Sequence, residues 1–264
     1  MRASLIQIAV DPDEPVDSRR ARVAALVRAE RGADLVVLPE LWPMGAFAYE
    51  SFAAESEPLD GPTHQAMAAA ARDAGVWLHA GSVVEAAGGA LYNTSLVFTP
   101  RGTLAASYRK IHRFGFDKGE AVMMAAGEEP VTVALPELTV GVATCYDLRF
   151  PELFRGLVDA GAQAFVVPAG WPARRRAHWT LLARARAVEN QAYMLACGTA
   201  GTHAGVEQAG HSLVVDPWGE VLAEAGPDEE ILRVTLDPAK VTTTREQFPA
   251  LKDRVLGVAK PPRP

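Results

Sequence analysis

The sequence predicts an α/β fold of two similar halves, in which two packed sheets are covered by helices on both outer faces. Two internal repeats in matching order predict the halves. GADLVVLPELWP at 32–43 aligns without gaps to GAQAFVVPAGWP at 161–172, with six of twelve positions identical. SLVFTPRGTL at 95–104 is similar in the same way to SLVVDPWGEV at 212–221. We therefore expect a pseudo-twofold relation between the halves.

The elements within each half follow from the residues around the repeats. Each copy of the first repeat follows an amphipathic stretch, at 17–31 and 150–160, and this pattern predicts a helix, a tight turn and a buried strand. Each copy of the second repeat predicts a strand, a Pro-x-Gly turn and a return strand. Alternating helices and strands are typical of sheets with helices on their outer faces. Further strands are predicted at 3–10, 76–84, 138–144, 193–199 and 231–236, and further helices at 62–74 and 175–190.

The size and composition of the chain fit one domain with a large core. The chain has 264 residues, of which 49% are hydrophobic and 22% charged, and single α/β domains often reach this length. We assign residues 1–240 to this domain. Residues 241–264 lose the apolar periodicity, and we expect an extended tail over the surface or a neighbouring subunit.

Charge and cysteine usage exclude several classes of function. The net charge of -6 argues against nucleic acid as the main partner, and the basic run ARRRAHW at 173–179 is expected to be the solvated start of a helix. No apolar stretch approaches the ~20 residues that span a bilayer, so no membrane partner is expected. The N-terminus has the pattern of a first strand rather than of a signal peptide. Two cysteines in unlike surroundings make no disulfide framework, which indicates a reducing cytoplasm.

The two cysteines differ in their sequence context. Cys197, in AYMLACGT, has apolar neighbours on both sides and is expected to fill core space. Cys145 lies where the apolar run of GVATCYDLRFPEL gives way to a turn with a tyrosine, an aspartate and an arginine. Core filling is possible there too, but the position is also one for a reactive thiol.

Glu40 marks the informative difference between the repeated strand ends. The first strand ends VVLPELWP and the second VVPAGWP, so Glu40 stands where the second copy has Ala169. Apolar neighbours would desolvate this carboxylate and raise its pKa toward the range of a general base. The alternative is a helix-capping or surface glutamate. A strand end in an α/β fold is, however, where ligands usually bind.

Lys110 ends a predicted strand and begins an irregular loop, 110–128, without a helical pattern. Long irregular loops in compact domains are usually functional or disordered. A lysine normally lies in solvent, but the neighbouring Tyr108, Phe114 and Phe116 favour the wall of a site.

These residues resemble the Glu-Lys-Cys triad of the nitrilase (carbon–nitrogen hydrolase) superfamily. Glu40 stands in LPELW, Lys110 in YRKIH and Cys145 in TCYDLRFPEL, in the order and spacing of that superfamily. The resemblance covers nearly the whole chain. It implies a four-layer α-β-β-α sandwich, in agreement with the repeats. Many members carry a second glutamate after the lysine, which Glu120 in DKGEAVMMAAG matches by position.

The resemblance implies thiol chemistry on an amide. Free cysteine, with a pKa of ~8.5, is mostly protonated at neutral pH, so Glu40 would take the proton as Cys145 attacks and return it to the departing amine. Lys110, kept charged by Glu40 and Glu120, would face the oxyanion together with the Tyr146 N–H. Water activated by Glu40 would then hydrolyse the thioester. No metal or cofactor is expected, because the histidines show no ligand spacing and no glycine-rich phosphate loop is present.

The motifs are most similar to the ω-amidase-like branch, which cleaves small carboxylate-bearing amides and releases ammonia. A buried substrate carboxylate needs a cation, and Arg149 and Arg113 are the candidates. Arg149 could instead form a structural ion pair with Asp147 or Glu152. Trp171, at the end of the second repeated strand, is also expected to contact the substrate.

Two positions depart from the ω-amidase-like pattern and keep other functions open. Gly170 stands where that branch often has asparagine, and CGTAG at 197–201 replaces a more polar NRxG-like ending. The alternatives are an N-carbamoyl amide hydrolase, which would also release carbon dioxide, and a general aliphatic amidase; nitrile hydrolysis is less favoured. From other classes, the alternatives are a catalytically silent binding subunit and thiol-redox sensing by Cys145.

The resemblance also implies an oligomer. The predicted helices at 150–160 and 175–190 correspond to elements that usually pair subunits in the superfamily. We therefore expect at least a homodimer joined across an isologous interface.

Overall fold

Two six-stranded sheets form the centre of the structure, a computed structural model that describes residues 1–257. The first sheet contains β1 (Arg2–Gln7), β2 (Leu35–Val37), β3 (Trp77–Ala87), β4 (Ala90–Phe98), β5 (Leu104–Arg109) and β14 (Glu230–Thr235). The second contains β6 (Val131–Ala134), β7 (Thr139–Val142), β8 (Ala164–Ala169), β9 (Tyr193–Gly198), β12 (Leu213–Val215) and β13 (Val221–Glu224). A separate hairpin pairs β10 (Thr202–His203) with β11 (Val206–Glu207).

The two sheets have the same topology. The strand order is β14-β1-β2-β3-β4-β5 in the first and β6-β7-β8-β9-β12-β13 in the second. In each sheet the second, third and fourth strands are parallel and the flanking strands are antiparallel. By position in this order, β2 corresponds to β8, and the β4–β5 hairpin corresponds to the β12–β13 hairpin. These are the segments of the two sequence repeats. The predicted pseudo-twofold is confirmed.

Helices cover the outer face of each sheet. Proline begins two of them at the first turn, where its missing N–H costs no intrahelical bond, and one of these two ends at Gly75, which has a left-handed φ of 71°. The helices are α1 (Val16–Ala29), α2 (Pro62–Ala74), α3 (Glu120–Met123), α4 (Pro151–Asp159), α5 (Arg176–Asn190) and α6 (Ala239–Gln247).

Three apolar layers separate the four layers of secondary structure. Residues of both sheets, such as Leu5 and Val166, pack against each other in the centre. The first sheet packs against α1 and α2 through residues such as Val27. The second packs against α4 and α5 through residues such as Phe165 and Trp179. The fold is therefore the predicted α-β-β-α sandwich, in which each sheet buries both of its faces.

The C-terminal region differs from the predicted extended tail. Residues 239–247 form α6, and residues 250–253 form a 3-10 helix. α6 has no apolar stripe, and polar contacts hold it in place instead. The Arg245 guanidinium donates to the carbonyls of Gln191, Ala162 and Asn190. Only Val241 and Thr244 of this helix are buried. The last part of the predicted tail, residues 258–264, lies outside the described residues.

The predicted irregular loop at 110–128 contains the short helix α3, which its sequence did not indicate. A four-residue helix is too short to present a periodic pattern. Among residues 1–257, no helix combines the length and the apolar character that a membrane crossing requires.

Candidate active site

The candidate site lies at the carboxyl ends of strands from both sheets. Glu40 follows β2, Lys110 follows β5 directly, and Cys145 follows β7. Gly170 follows β8, the strand that matches β2 in the second half. Because parallel strands end at one edge, residues far apart in sequence meet there. Both halves of the fold therefore contribute to one site.

Lys110 forms a buried ion cluster with two carboxylates. Its Nζ lies 2.7 Å from Glu40 Oε1 and 2.7 Å from Glu120 Oε2. All three side chains are at most 5% exposed. Burial alone would lower the pKa of Lys110, but the charges of Glu120 and Glu40 raise it well above its ordinary value. These two charges favour the ammonium form of Lys110.

Glu120 completes the cluster that the resemblance predicted. Burial raises its pKa and the Glu40 charge raises it further, while Lys110 acts in the opposite direction. Glu120 Oε2 also accepts the Phe114 backbone N–H at 2.9 Å. This bond closes the loop that follows Lys110 around the carboxylate.

Asn93 is a further member of the cluster that the sequence analysis missed. Its Nδ2 donates to Glu40 Oε1 at 2.8 Å and to Glu120 Oε1 at 2.5 Å, and its backbone carbonyl accepts the Lys110 N–H at 2.8 Å. The only signal in the sequence was an amide residue just ahead of the predicted strand that leads into the Pro-x-Gly turn. Asn93 bridges the two carboxylates through one amide nitrogen, as Lys110 does through its ammonium.

Cys145 lies at the start of a five-residue 3-10 helix in a left-handed backbone conformation. Its φ is 47°, which costs conformational energy for a residue with a Cβ and is common at functional turns. The thiol lies 3.7 Å from the Gly170 carbonyl oxygen. Burial raises the pKa of the thiol well above its ordinary value, and the negative charge of Glu40 raises it further. The resting group is therefore a neutral thiol that needs a base.

Gly170 connects the general-base candidate to the nucleophile candidate. Its backbone N–H donates to Glu40 Oε2 at 2.8 Å, while its carbonyl faces the Cys145 thiol. A Cβ at this position would overlap the Cβ of Ala46. This close approach explains why glycine stands where the ω-amidase-like pattern often has asparagine.

Asp147 fixes the turn that carries Cys145. Its two oxygens accept the Thr144 N–H at 2.8 Å, the Tyr108 hydroxyl at 2.7 Å and the His112 N–H at 3.0 Å, and the His112 Nδ1 lies 2.7 Å away. Asp147 is fully buried. With its oxygens so occupied, Asp147 forms no ion pair with Arg149. Among residues 1–257 Glu152 forms none with Arg149 either, so the structural ion pair that was the alternative for this arginine is absent there.

A narrow cavity of about 20 Å³ opens above Cys145. It is lined by three of the predicted substrate contacts, Tyr146, Arg149 and Trp171, together with Phe47, Phe114, Cys145, Gly170, Pro172 and Arg175. Of the predicted aromatic wall, Phe114 lines the cavity, whereas Phe116 is 80% exposed.

Arg113, the other predicted carboxylate ligand, does not line this cavity. Its Nη1 donates to the carbonyl oxygens of Met124 at 2.6 Å and Ala121 at 3.2 Å. These carbonyls belong to α3 and the residue that ends it, so the guanidinium supports the loop that carries Glu120. This placement corrects the expectation that Arg113 faces the substrate.

Arg149 and Arg175 supply the positive charge of the cavity. The Arg149 guanidinium carbon lies 4.9 Å from the ring centre of Trp171, and that of Arg175 lies 5.2 Å from the ring centre of Phe114. The sequence analysis placed Arg175 in a solvated helix start, but it is half-buried. Its sequence signal was its place three residues after the Trp-Pro of the second repeat.

The described residues, 1–257, contain no cluster of three or more histidine, cysteine or acidic side chains arranged to hold a metal ion. The polar groups that converge at the site are one thiol, two carboxylates, one ammonium and one amide. This set can move a proton and stabilise a negative charge next to a nucleophilic sulfur.

Comparisons with known proteins agree with this geometry. The family model described as carbon-nitrogen hydrolase matches residues 2–246. The chain is 42% identical over 257 residues to the 2-oxoglutaramate amidase of Paenarthrobacter nicotinovorans, covering 94% of this chain and 87% of that protein. It is 36% identical over 263 residues to the omega-amidase NIT2 of Homo sapiens, covering 96% and 94%.

Solved structures agree as well. The structure of XC1258 from Xanthomonas campestris, a CN-hydrolase superfamily protein with an arsenic adduct in its active site, superposes with a TM-score of 0.90. The identity is 31%, and the alignment covers 98% of this chain and 99% of that one. The resemblance to the nitrilase superfamily and its ω-amidase-like branch is confirmed.

Proposed function

Because the chain belongs to the carbon–nitrogen hydrolase family, we propose that it hydrolyses small linear amides that carry a carboxylate, through a cysteine thioester, and releases ammonia. The relatives named as amidases support the hydrolysis of an amide C–N bond. The observation that carries the proposal is the buried Lys110–Glu40–Glu120 cluster, which Gly170 connects to the Cys145 thiol. The thiol itself lines a cavity with two arginines.

The first half of the reaction forms the thioester. Glu40 takes the proton of the Cys145 thiol while the sulfur attacks the amide carbonyl carbon. The tetrahedral intermediate collapses as the C–N bond breaks, and Glu40 returns the proton to the departing nitrogen, which leaves as ammonia. A base is required because burial keeps the thiol protonated. Gly170 holds Glu40 in place through its N–H, 2.8 Å from Oε2.

The negative charge of the intermediate is stabilised by a fixed cation. Lys110 keeps its proton because Glu120 and Glu40 flank it, and it lies in a water-excluded environment where electrostatic interactions are strong. The backbone N–H of Tyr146, the residue after the nucleophile, serves as the second donor. Such preorganised donors stabilise the transition state more than the ground state.

The second half of the reaction returns the free enzyme. Glu40 takes a proton from water as the water oxygen attacks the thioester carbonyl carbon. The C–S bond then breaks, and the proton on Glu40 returns to the sulfur. The net reaction consumes one water and yields one carboxylic acid and one ammonia per amide.

A carboxylate on the substrate accounts for the charge of the cavity. Arg149 lies along Trp171 and reaches the edge of the cavity, where no ion pair with Asp147 competes for it. Relatives named omega-amidase and 2-oxoglutaramate amidase support the same substrate class. The N-carbamoyl amide hydrolase and the general aliphatic amidase remain the alternatives to be tested.

The test is ammonia release from a matched pair of amides, glutaric acid monoamide and pentanamide, which have equal carbon number. We expect a much higher kcat/KM for the monoamide. The screen should include 2-oxo acid amides, glutamine, asparagine and N-carbamoyl amino acids. Equal kcat/KM values on the matched pair would replace the proposal with a general aliphatic amidase, and carbon dioxide release from an N-carbamoyl amino acid as the best substrate would replace it with the other alternative.

The thioester itself is tested by acid quenching and peptide mass spectrometry during turnover. The peptide that contains Cys145 should gain the mass of the acyl group, whereas the peptide that contains Cys197 should not. Turnover with an adduct on Cys197, or with none under conditions that trap other thioesters, would contradict the mechanism.

A further inference from the structure

The cavity above Cys145 contains two positive charges and no negative one among its lining residues. The two guanidinium groups, of Arg149 and Arg175, line a space whose other walls are mainly aromatic. Like charges held together in a partly desolvated site repel each other unless an anion joins them. The cavity is therefore built for an anion.

Of the two guanidinium groups, that of Arg175 has fewer polar partners among the described residues. It contacts the face of Phe114, 5.2 Å from the ring centre, and within residues 1–257 it has no carboxylate partner. Burial lowers its pKa, and the neighbouring charges of Arg174 and Arg149 lower it further. An aromatic face attracts a cation more weakly than a carboxylate does, so an arriving carboxylate would draw Arg175 away from the ring.

The other arginines near the site have partners of their own or do not line the cavity. Arg113 donates to two backbone carbonyls, and Arg176 lies 3.3 Å from Glu224. Arg149 lies against Trp171 and has His178 Nδ1 at 3.4 Å from its Nη2. Arg174 is exposed and does not line the cavity. This leaves Arg175 as the guanidinium group that faces the cavity with its hydrogen-bonding capacity unused.

The backbone of Arg175 is fixed even though its side chain can turn. Its carbonyl accepts the Trp171 indole N–H at 2.8 Å, which holds the short 3-10 helix Ala173–Arg175 at the cavity mouth. Phe114 is fixed from the other side, because its N–H donates to Glu120. The contact between Arg175 and Phe114 therefore connects the two sides of the mouth.

The cavity is smaller than an amide substrate. A volume of about 20 Å³ holds roughly one water molecule, so an amide substrate enters only when a lining side chain moves. The long side chain of Arg175 can leave Phe114 without moving its fixed backbone.

We propose that Arg175 is the specificity-determining residue for the substrate carboxylate, and that its contact with Phe114 closes the cavity until a carboxylate draws the guanidinium away. This inference rests on the proposed function. It adds a residue and a selection step to the amide hydrolysis of that site.

The test compares Arg175→Met with Arg174→Met, a matched control one residue away on the same 3-10 helix. The measured quantity is the ratio of kcat/KM for glutaric acid monoamide to kcat/KM for pentanamide. Arg175→Met should remove one charged hydrogen bond to the carboxylate, both in the bound substrate and in the transition state. This loss should lower the ratio about 10- to 100-fold, mainly through a higher KM for the monoamide. Arg174→Met should leave the ratio at the wild-type value.

A binding measurement without turnover separates this inference from the proposed function. Calorimetry with glutarate on the Cys145→Ala background should give a Kd about 10- to 100-fold higher when Arg175→Met is added, and an unchanged Kd with Arg174→Met. A wild type that releases no ammonia, combined with Arg175-dependent glutarate binding, would refute the proposed function and keep the inference. An unchanged ratio and Kd in Arg175→Met, or an equal loss in Arg174→Met, overturns the inference and leaves the proposed function standing.

Discussion

Lys110 shows how burial and charge act against each other in the site. Burial alone favours the neutral amine, yet two carboxylates at 2.7 Å hold the ammonium charged. The same ammonium acts to lower the pKa of Glu120, against burial and the Glu40 charge, which both raise it. The proposed roles of Lys110 and Glu40 depend on this balance of burial and charge.

Replacing Lys110 tests the balance. We expect Lys110→Met to reduce kcat by roughly 10²- to 10³-fold and to change KM little, because an oxyanion donor acts in the transition state. Lys110→Arg should not restore the rate, since a planar guanidinium cannot replace a compact ammonium between two carboxylates. Steady-state kinetics on glutaric acid monoamide give both constants, with far-UV circular dichroism as the check of folding. A folded Lys110→Met variant with normal kcat and a raised KM would show that Lys110 only binds substrate.

At the residue scale, the sequence identified the groups with chemistry better than the groups that position them. Glu40, Lys110, Cys145 and Glu120 were predicted because motif and spacing mark them, and the structure brings them together. The role of Asn93 could not be predicted, since it depends on a strand placing an amide between two distant carboxylates. The placement of Arg113 was wrong because only the three-dimensional course of its loop decides which carbonyls it meets.

The turn from β7 into the 3-10 helix at Cys145–Arg149 is the element on which the geometry of the nucleophile depends. Cys145 has a left-handed backbone there, and the surrounding bonds must stabilise it. Thr144 and Asp147 cap the turn reciprocally, and Asp147 also ties it to Tyr108 and His112 from the neighbouring strand and loop. The turn that carries the thiol and the loop that follows Lys110 therefore share one buried carboxylate.

Asp147→Asn tests this arrangement. Each carboxylate oxygen of Asp147 faces two donors. In either orientation, the NH₂ of an asparagine side chain would therefore point at donors. We expect a loss of about 2 to 4 kcal/mol in the free energy of unfolding, together with reduced kcat. Tyr108→Phe, which removes one donor, should cost only about 1 kcal/mol. Urea unfolding measures both, and a smaller loss for Asp147→Asn than for Tyr108→Phe would contradict this role.

Elements with a strong apolar pattern were predicted closely, and those held by polar contacts were not. The predicted helices at 62–74 and 175–190 correspond to Pro62–Ala74 and Arg176–Asn190. In contrast, α6 is fixed through Arg245 and the Gln191 amide, which donates to the Phe248 carbonyl at 2.6 Å. The partners of such contacts lie more than fifty residues away in sequence, so no local pattern indicates them.

Considered as a whole, the molecule combines two equivalent half-folds into one asymmetric site. The first half contributes Glu40 and Lys110, and the second contributes Cys145 and Gly170. Ala169 stands at the position equivalent to Glu40, so the second half has no counterpart of the general base. The repeats predicted the symmetry of the fold, and one difference between them, Glu40 against Ala169, indicated where the chemistry lies.

Two buried histidines predict a pH dependence of global stability. Burial lowers the pKa of His79 and of His203 from 6.5 to about 4. Between these values the unfolded chain binds more protons than the folded one, so the free energy of unfolding falls as the pH decreases from about 6.5 to 4. Each histidine should contribute a loss of roughly 2 kcal/mol between pH 7.5 and 5.

His203→Phe isolates one of these contributions, because the ring of His203 stacks on Phe47 and neither ring nitrogen has a partner among the described residues. Urea unfolding at pH 7.5 and at pH 5 should show that the variant loses about 2 kcal/mol less than the wild type over this interval. An identical loss in both proteins would mean that His203 does not titrate on unfolding.

The outer face of α5 bears on the expected homodimer. Leu181 and Val188 of this helix are 66% and 46% exposed, next to α4, which packs beside it. We expect an isologous interface across α4 and α5, so Leu181→Glu should shift the protein toward monomer in sedimentation velocity, with Arg174→Met as a surface control. A wild type that sediments as a monomer at micromolar concentration would contradict this expectation.

The central claim, that the Cys145 thiol hydrolyses an amide, is tested most directly by ammonia release from two cysteine variants. Cys145 lines the cavity, whereas Cys197 is buried between the sheets, with its sulfur 3.4 Å from the Val37 carbonyl oxygen. Both variants should keep the wild-type circular dichroism spectrum. We predict that Cys145→Ala releases no ammonia from glutaric acid monoamide above the uncatalysed rate, while Cys197→Ala retains most of the activity. Turnover by folded Cys145→Ala at the wild-type rate would contradict the account.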